Sequence, residues 1–149
     1  RPYLLLGGLL TAFFFVIIAV FIVKPSNANL YDNKFSGAAD YINSNYDTTK
    51  IRLYNDFESG GYLEYHGIKT FIDSRAELFF KKINGKEDIF IDYTHASKGV
   101  ISYMELQKKY SLTHFMLQKN DPILTYLRSD ANYKVVYQDS NCSIFEKTN

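Results

Sequence analysis

The chain has 149 residues, balances 17 Lys and Arg against 16 Asp and Glu, and contains 46% hydrophobic residues and a single Cys. That length suits one domain of ordinary size, and the near-zero net charge supplies no bulk attraction to nucleic acid. One cysteine, Cys142, excludes an internal disulfide and any zinc site built on several thiolates.

The first segment differs in character from the rest. Tyr3 to Val23 runs 21 residues without a charge between Arg1 and Lys24-Pro25. A helix of that length would be roughly 31 Å long, the thickness of a bilayer's hydrocarbon core. The spacing therefore predicts a transmembrane helix over residues 1–24. A signal sequence is the competing reading, because Ser26-Asn27-Ala28 has the small-x-small form of a cleavage site. Beyond it, 16 basic residues stand against 16 acidic ones. Residues 25–34 read as a polar linker and residues 35–149 as a globular α/β domain, while Arg1 and Lys24 flank the span equally and leave its orientation open.

Within that domain Phe35, Ala38, Ala39 and Ile42 recur at helical spacing, which predicts an amphipathic helix over 33–45. Ile51 to Tyr54 reads as a first strand, Gly60 to His66 as a helix capped by Asp56 or Ser59, and Lys69 to Asp73 as a second strand. Helices are expected over 87–97 and 101–110, a strand over 114–118, and a helix over 122–129 with Asp121 as its cap and Pro122 in its first turn. Strands at 134–138 and 143–146, joined by Asp139-Ser140-Asn141, complete the chain as a hairpin. The order predicts a three-layer α/β sandwich with a mostly parallel sheet and an antiparallel edge hairpin.

In such sheets ligands bind outside the carboxyl ends of the strands. The first two expected strands end at Asn55-Asp56 and Asp73-Ser74, so Asp56, Glu58, Asp73, Arg75 and Glu77 are the candidate substrate-binding residues. Carboxylates beside an arginine can hold sugar hydroxyls, a cation or a peptide. They can equally be loop architecture, with Asp56 capping a helix and Arg75 paired to Asp73 or Glu77. Gly60-Gly61 matches no phosphate-binding loop and reads as close backbone packing. His66, His95 and His114 have no metal-ligand spacing, and no serine lies in a G-x-S-x-G turn.

Asn55, Asp56, Gly60, Gly61, Tyr62 and Leu63, followed by Phe71, Ile72, Asp73 and Arg75, form the pattern N-D-x-x-x-G-G-Y-L, then F-I-D-x-R. This resembles the C-terminal extracytoplasmic domain of polytopic membrane glycosyltransferases of the GT-C type. Tyr110 to Leu117, Leu124 to Tyr137 and Asp139 extend the likeness across most of residues 35–146, and a more distant likeness runs to the oligosaccharyltransferase catalytic subunit. The resemblance implies a non-catalytic domain of a hexosyltransferase that uses a polyprenyl-phosphate-linked sugar and helps to position a glycan or protein acceptor. It also implies a cell-membrane location with residues 25–149 on the extracytoplasmic side and membrane lipid as a neighbour, and it leaves room for a divalent cation in the parent enzyme. No catalytic residue falls within the chain on this reading. The alternatives are a membrane-tethered binding or sensor module and a purely structural domain.

Overall fold

The computed structural model describes residues 33–148. Helix α1, Ser36–Asn45, buries Ala38, Ala39 and Ile42 on the stripe that its spacing predicts, and it ends at Asn45. Strand β1 is short, Leu53–Tyr54, and a turn leads from it into helix α2, Gly60–Tyr65. A 3-10 turn over Ala76–Phe79 and a single helical turn, α3 (Lys81–Asn84), follow. Then come α4 (Ile89–Ser97) and α5 (Tyr103–Tyr110). A capping box starts α5: Ser102 Oγ accepts from the Glu105 N–H, and the Glu105 carboxylate accepts from the Ser102 N–H at 2.7 Å. Strand β2 (His114–Gln118), helix α6 (Ile123–Ser129) and the hairpin β3 (Tyr133–Gln138) and β4 (Cys142–Lys147) complete the domain. The Asp139 carboxylate shapes the hairpin turn by accepting from the Asn141 and Cys142 N–H groups at 2.7 and 2.8 Å.

The strand order is β1-β2-β4-β3. Only β1 and β2 are parallel, whereas β4 runs antiparallel to both of its neighbours. The sheet is therefore mixed, which corrects the expectation of a mostly parallel one. Two features account for the difference. Lys69 to Asp73 does not form the expected second strand. The expected antiparallel hairpin does occupy one edge, with β4 beside β2 and β3 outermost, so in a sheet of four strands only the β1–β2 pair is left parallel. A register irregularity between Val135 and Tyr137 interrupts that outer strand, as is common at sheet edges.

Alternation along the strands sends side chains to two cores. Leu53, Met116 and Ile144 join the residues of α1 on one face. Tyr54, Phe115, Leu117 and Phe145 pack with Leu106, Ile123 and Leu127 on the other. Both faces of β2 and β4 are covered, so these strands read as nearly continuous apolar runs (HFMLQ and CSIFEK).

The transmembrane helix expected over residues 1–24 lies outside the described residues. Among the described residues no helix is long and apolar enough to cross a membrane. The cell-membrane, extracytoplasmic placement of residues 25–149 rested on that span and on the glycosyltransferase resemblance, and it is not carried forward.

Candidate functional site

The segment from Asn55 to Arg75 is held together by its own polar groups. Asn55 is fully buried. Its Oδ1 accepts from the Phe71 N–H at 2.7 Å, while its Nδ2 donates to the Ile72 carbonyl at 2.8 Å and to the Asp56 carbonyl at 2.7 Å. A neighbouring strand would make the same donor-and-acceptor pair with its main chain. Here a side chain makes it, and the 69–73 segment runs beside β1 one side-chain length away. Gly60 then brings α2 against the same segment. A Cβ at Gly60 would lie 2.1 Å from the Ile72 carbonyl oxygen and 2.6 Å from Asp73 Cα, so only glycine fits.

The five residues singled out from sequence do not form one site. Asp56 is buried, and its Oδ1 accepts from the Ser59 N–H at 2.8 Å in the turn that leads into α2. Glu58 is exposed, pairs with Lys34 at 2.7 Å and accepts from Gln118 Nε2 at 3.1 Å. Asp73 is 1% exposed and accepts from the Arg75 N–H at 2.7 Å and from Arg75 Nε at 3.1 Å, while Arg75 Nη2 reaches both Asp73 and Glu64. The Arg75 guanidinium holds the Asp73 carboxyl below its ordinary range. Glu77 stands apart, exposed in the 3-10 turn. Asp56, Asp73 and Arg75 thus have structural partners, and the acidic edge divides into separate local contacts.

Three buried polar atoms here and nearby lack partners: Tyr54 Oη, Asp56 Oδ2 and His114 Nε2. Asp121, past the end of β2, is pushed above the ordinary carboxylate range by burial, and the charge of Asp56 adds to that. The unpaired atoms are closed to solvent, so no ligand reaches them without a rearrangement. Among the described residues no group of three or more His, Cys, Asp and Glu could hold a metal ion.

An accessible cleft opens on the outer side of β1, below the Asn55 bridge. It has a volume of about 340 Å³, and Ile51, Leu53, Phe71 and Leu112 supply its apolar wall. Tyr110 stands at its side, packed edge-on against Phe71 with ring centroids 4.9 Å apart and hydrogen-bonded through its hydroxyl to Asp92. The charged residues lining the cleft are Arg52 and Lys69. Both are exposed, and neither has a carboxylate partner among the described residues. Arg52 Nη1 donates to the Tyr110 carbonyl at 3.3 Å, which holds the guanidinium at the rim with its other N–H groups available.

Sequence reasoning passed over Arg52 and Lys69 because neither belongs to an acidic or glycine-rich motif. A signal for Arg52 was present. It lies between the buried Ile51 and Leu53, and a charge inside an otherwise apolar strand marks a sheet edge.

No family model matches the chain, and no curated protein or solved structure matches it either. With no family support, no metal-binding group and no membrane-crossing helix among the described residues, the assignment as a non-catalytic domain of a membrane glycosyltransferase is withdrawn. The membrane-tethered module that stood as its alternative is withdrawn with it.

Proposed function

We propose that residues 33–148 form a binding domain whose cleft beside β1 takes an anionic ligand with an apolar body. The observation that carries this reading is the charge of the cleft: two unpaired cations, Arg52 and Lys69, stand over an apolar wall with no carboxylate in the lining. Ligand sites pair an apolar surface with a few placed polar groups in this way. The β1 edge, the Asn55 bridge and the aromatic contact of Phe71 with Tyr110 hold the walls in place, so the cleft exists before the ligand arrives.

The reading is tested by titrating the full chain with octanoate and, separately, with octylamine, following amide chemical shifts. Octanoate is expected to bind saturably with shifts centred on Leu53 and Lys69, and octylamine is not. One pair of opposite charges at contact distance in water is worth about 1 kcal/mol, so Arg52→Glu or Lys69→Glu, which exchanges that attraction for a repulsion, should weaken octanoate binding about tenfold or more. Equal binding of the two amphiphiles, or no saturable binding of octanoate, overturns the proposal.

A further inference from the structure

The cleft has a second property besides its charge, and this inference rests on the binding reading above. Arg52 turns its main chain toward β2: its carbonyl accepts from the Thr113 N–H at 2.9 Å and the His114 N–H at 3.2 Å, and its N–H donates to Thr113 Oγ1 at 2.9 Å. Leu53 pairs with His114 and Tyr54 with Phe115 in the parallel ladder. Successive residues of a strand point their N–H and C=O groups to opposite sides, so the Leu53 main chain faces the cleft. Neither of its groups has a hydrogen-bond partner there among the described residues. An edge strand with a free donor and acceptor is a template for another strand.

The Asn55 carboxamide supplies the next pair of hydrogen bonds along the same edge and closes the slot at its upper end. Below it lies the cleft, lined on its two sides by Leu53 and by Lys69, Thr70 and Phe71. Arg52 and Lys69 flank the opening. Basic residues beside a free edge discourage accidental pairing and repel basic strands, whereas an acidic strand is the one they attract.

We infer that the cleft binds an extended acidic peptide by strand addition. The peptide main chain pairs with the N–H and C=O of Leu53, an apolar side chain enters between Phe71 and Leu112, and a carboxylate meets Arg52 or Lys69. Main-chain pairing supplies affinity and the flanking side chains supply selection, as in other sheet-edge recognition.

The probe is the blocked pentapeptide acetyl-Asp-Val-Ile-Val-Glu-amide, titrated into the full chain, together with three versions N-methylated at Val, Ile or Val in turn. The peptide is expected to bind and to slow hydrogen exchange of the Leu53 amide at least tenfold. N-methylation should weaken binding about tenfold at alternate positions only, because peptide N–H groups face β1 with a period of two. Arg52→Glu with Lys69→Glu should remove binding, with thermal stability reporting that the variant is folded. If all three methylated peptides bind as well as the parent while octanoate still binds, strand addition is wrong and the anion-binding reading stands. If neither peptide nor octanoate binds, both readings fail.

Discussion

The Asn55 carboxamide accepts from the Phe71 N–H at 2.7 Å and donates to the Ile72 carbonyl, all at positions buried in the domain. One side chain therefore takes the place of a strand pairing between β1 and the 69–73 segment. Removing it leaves a main-chain donor and acceptor buried without partners, each costing about 1–3 kcal/mol. Asn55→Ala is expected to lower unfolding free energy by about 3 kcal/mol in urea denaturation. Asn55→Asp keeps an acceptor for Phe71 but loses the donor to Ile72, and it should fall in the same range. A loss below about 1 kcal/mol for both variants would show that the bridge contributes little.

The adjacent glycines separate backbone packing from helix propensity. Gly60 meets Ile72 and Asp73 so closely that an added Cβ forces the main chain apart, while a Cβ on Gly61 has nothing within 4 Å. Gly60→Ala should destabilise the domain by about 2 kcal/mol or more, within the range of overpacking. Gly61→Ala, at an exposed helical position, should be neutral or stabilise by about 0.5–1 kcal/mol. Thermal melts of the two variants check this. Equal effects would refute the packing account.

Much of the architecture was legible because it rests on local patterns. The α1 stripe, the helix expected over 101–110 and the strand at His114–Gln118 each follow from their own stretch of sequence. The sheet order was not legible. Lys69 to Ile72 has the composition of a strand, yet the Asn55 side chain intervenes and holds the segment away from β1, which is a contact between residues 16 and 17 positions apart. The position of β4 between β2 and β3 likewise depends on long-range pairing that periodicity does not encode. For the site, the sequence gathered Asp56, Asp73 and Arg75 into one edge. In the fold, Arg75 turns to Asp73 and Glu64, and Asp56 turns to Ser59, because a buried carboxylate takes the nearest donors first.

The Asp73–Arg75 pair links stability to acid. The folded state holds the Asp73 carboxyl below the ordinary value of about 3.9, so the unfolded chain takes up the proton first as pH falls. The stabilisation is fully present above about pH 4 and is lost as pH drops through the lower, folded value. Arg75 is about half exposed, with 53% of its side-chain surface accessible, so water screens much of the pair. Asp73→Asn is expected to cost about 1–3 kcal/mol at pH 7, with the difference from the parent chain shrinking below pH 4. Urea denaturation at several pH values checks it, and a pH-independent difference would assign the loss to packing rather than charge.

His114 adds a second loss of stability on the acid side, at a higher pH than Asp73. It is 5% exposed, its Nε2 has no hydrogen-bond partner, and Thr113 Oγ1 lies 2.8 Å from its Nδ1. Burial lowers the pKa of the ring; the Glu146 carboxylate, with its Oε1 at 3.9 Å, offsets this in part, and Lys134 adds to the lowering. The folded state therefore resists protonation more than the unfolded chain, whose histidine titrates near 6.5. Stability is complete above about pH 6.5 and declines as pH falls below it, until the folded ring also takes the proton. His114→Gln should flatten the dependence of stability on pH between 7 and 5, even if it lowers stability at pH 7 through altered packing with Tyr46, whose ring meets His114 edge-on at 4.6 Å. Denaturation midpoints across that interval give the slope directly, and an unchanged slope in the variant would place the titrating group elsewhere.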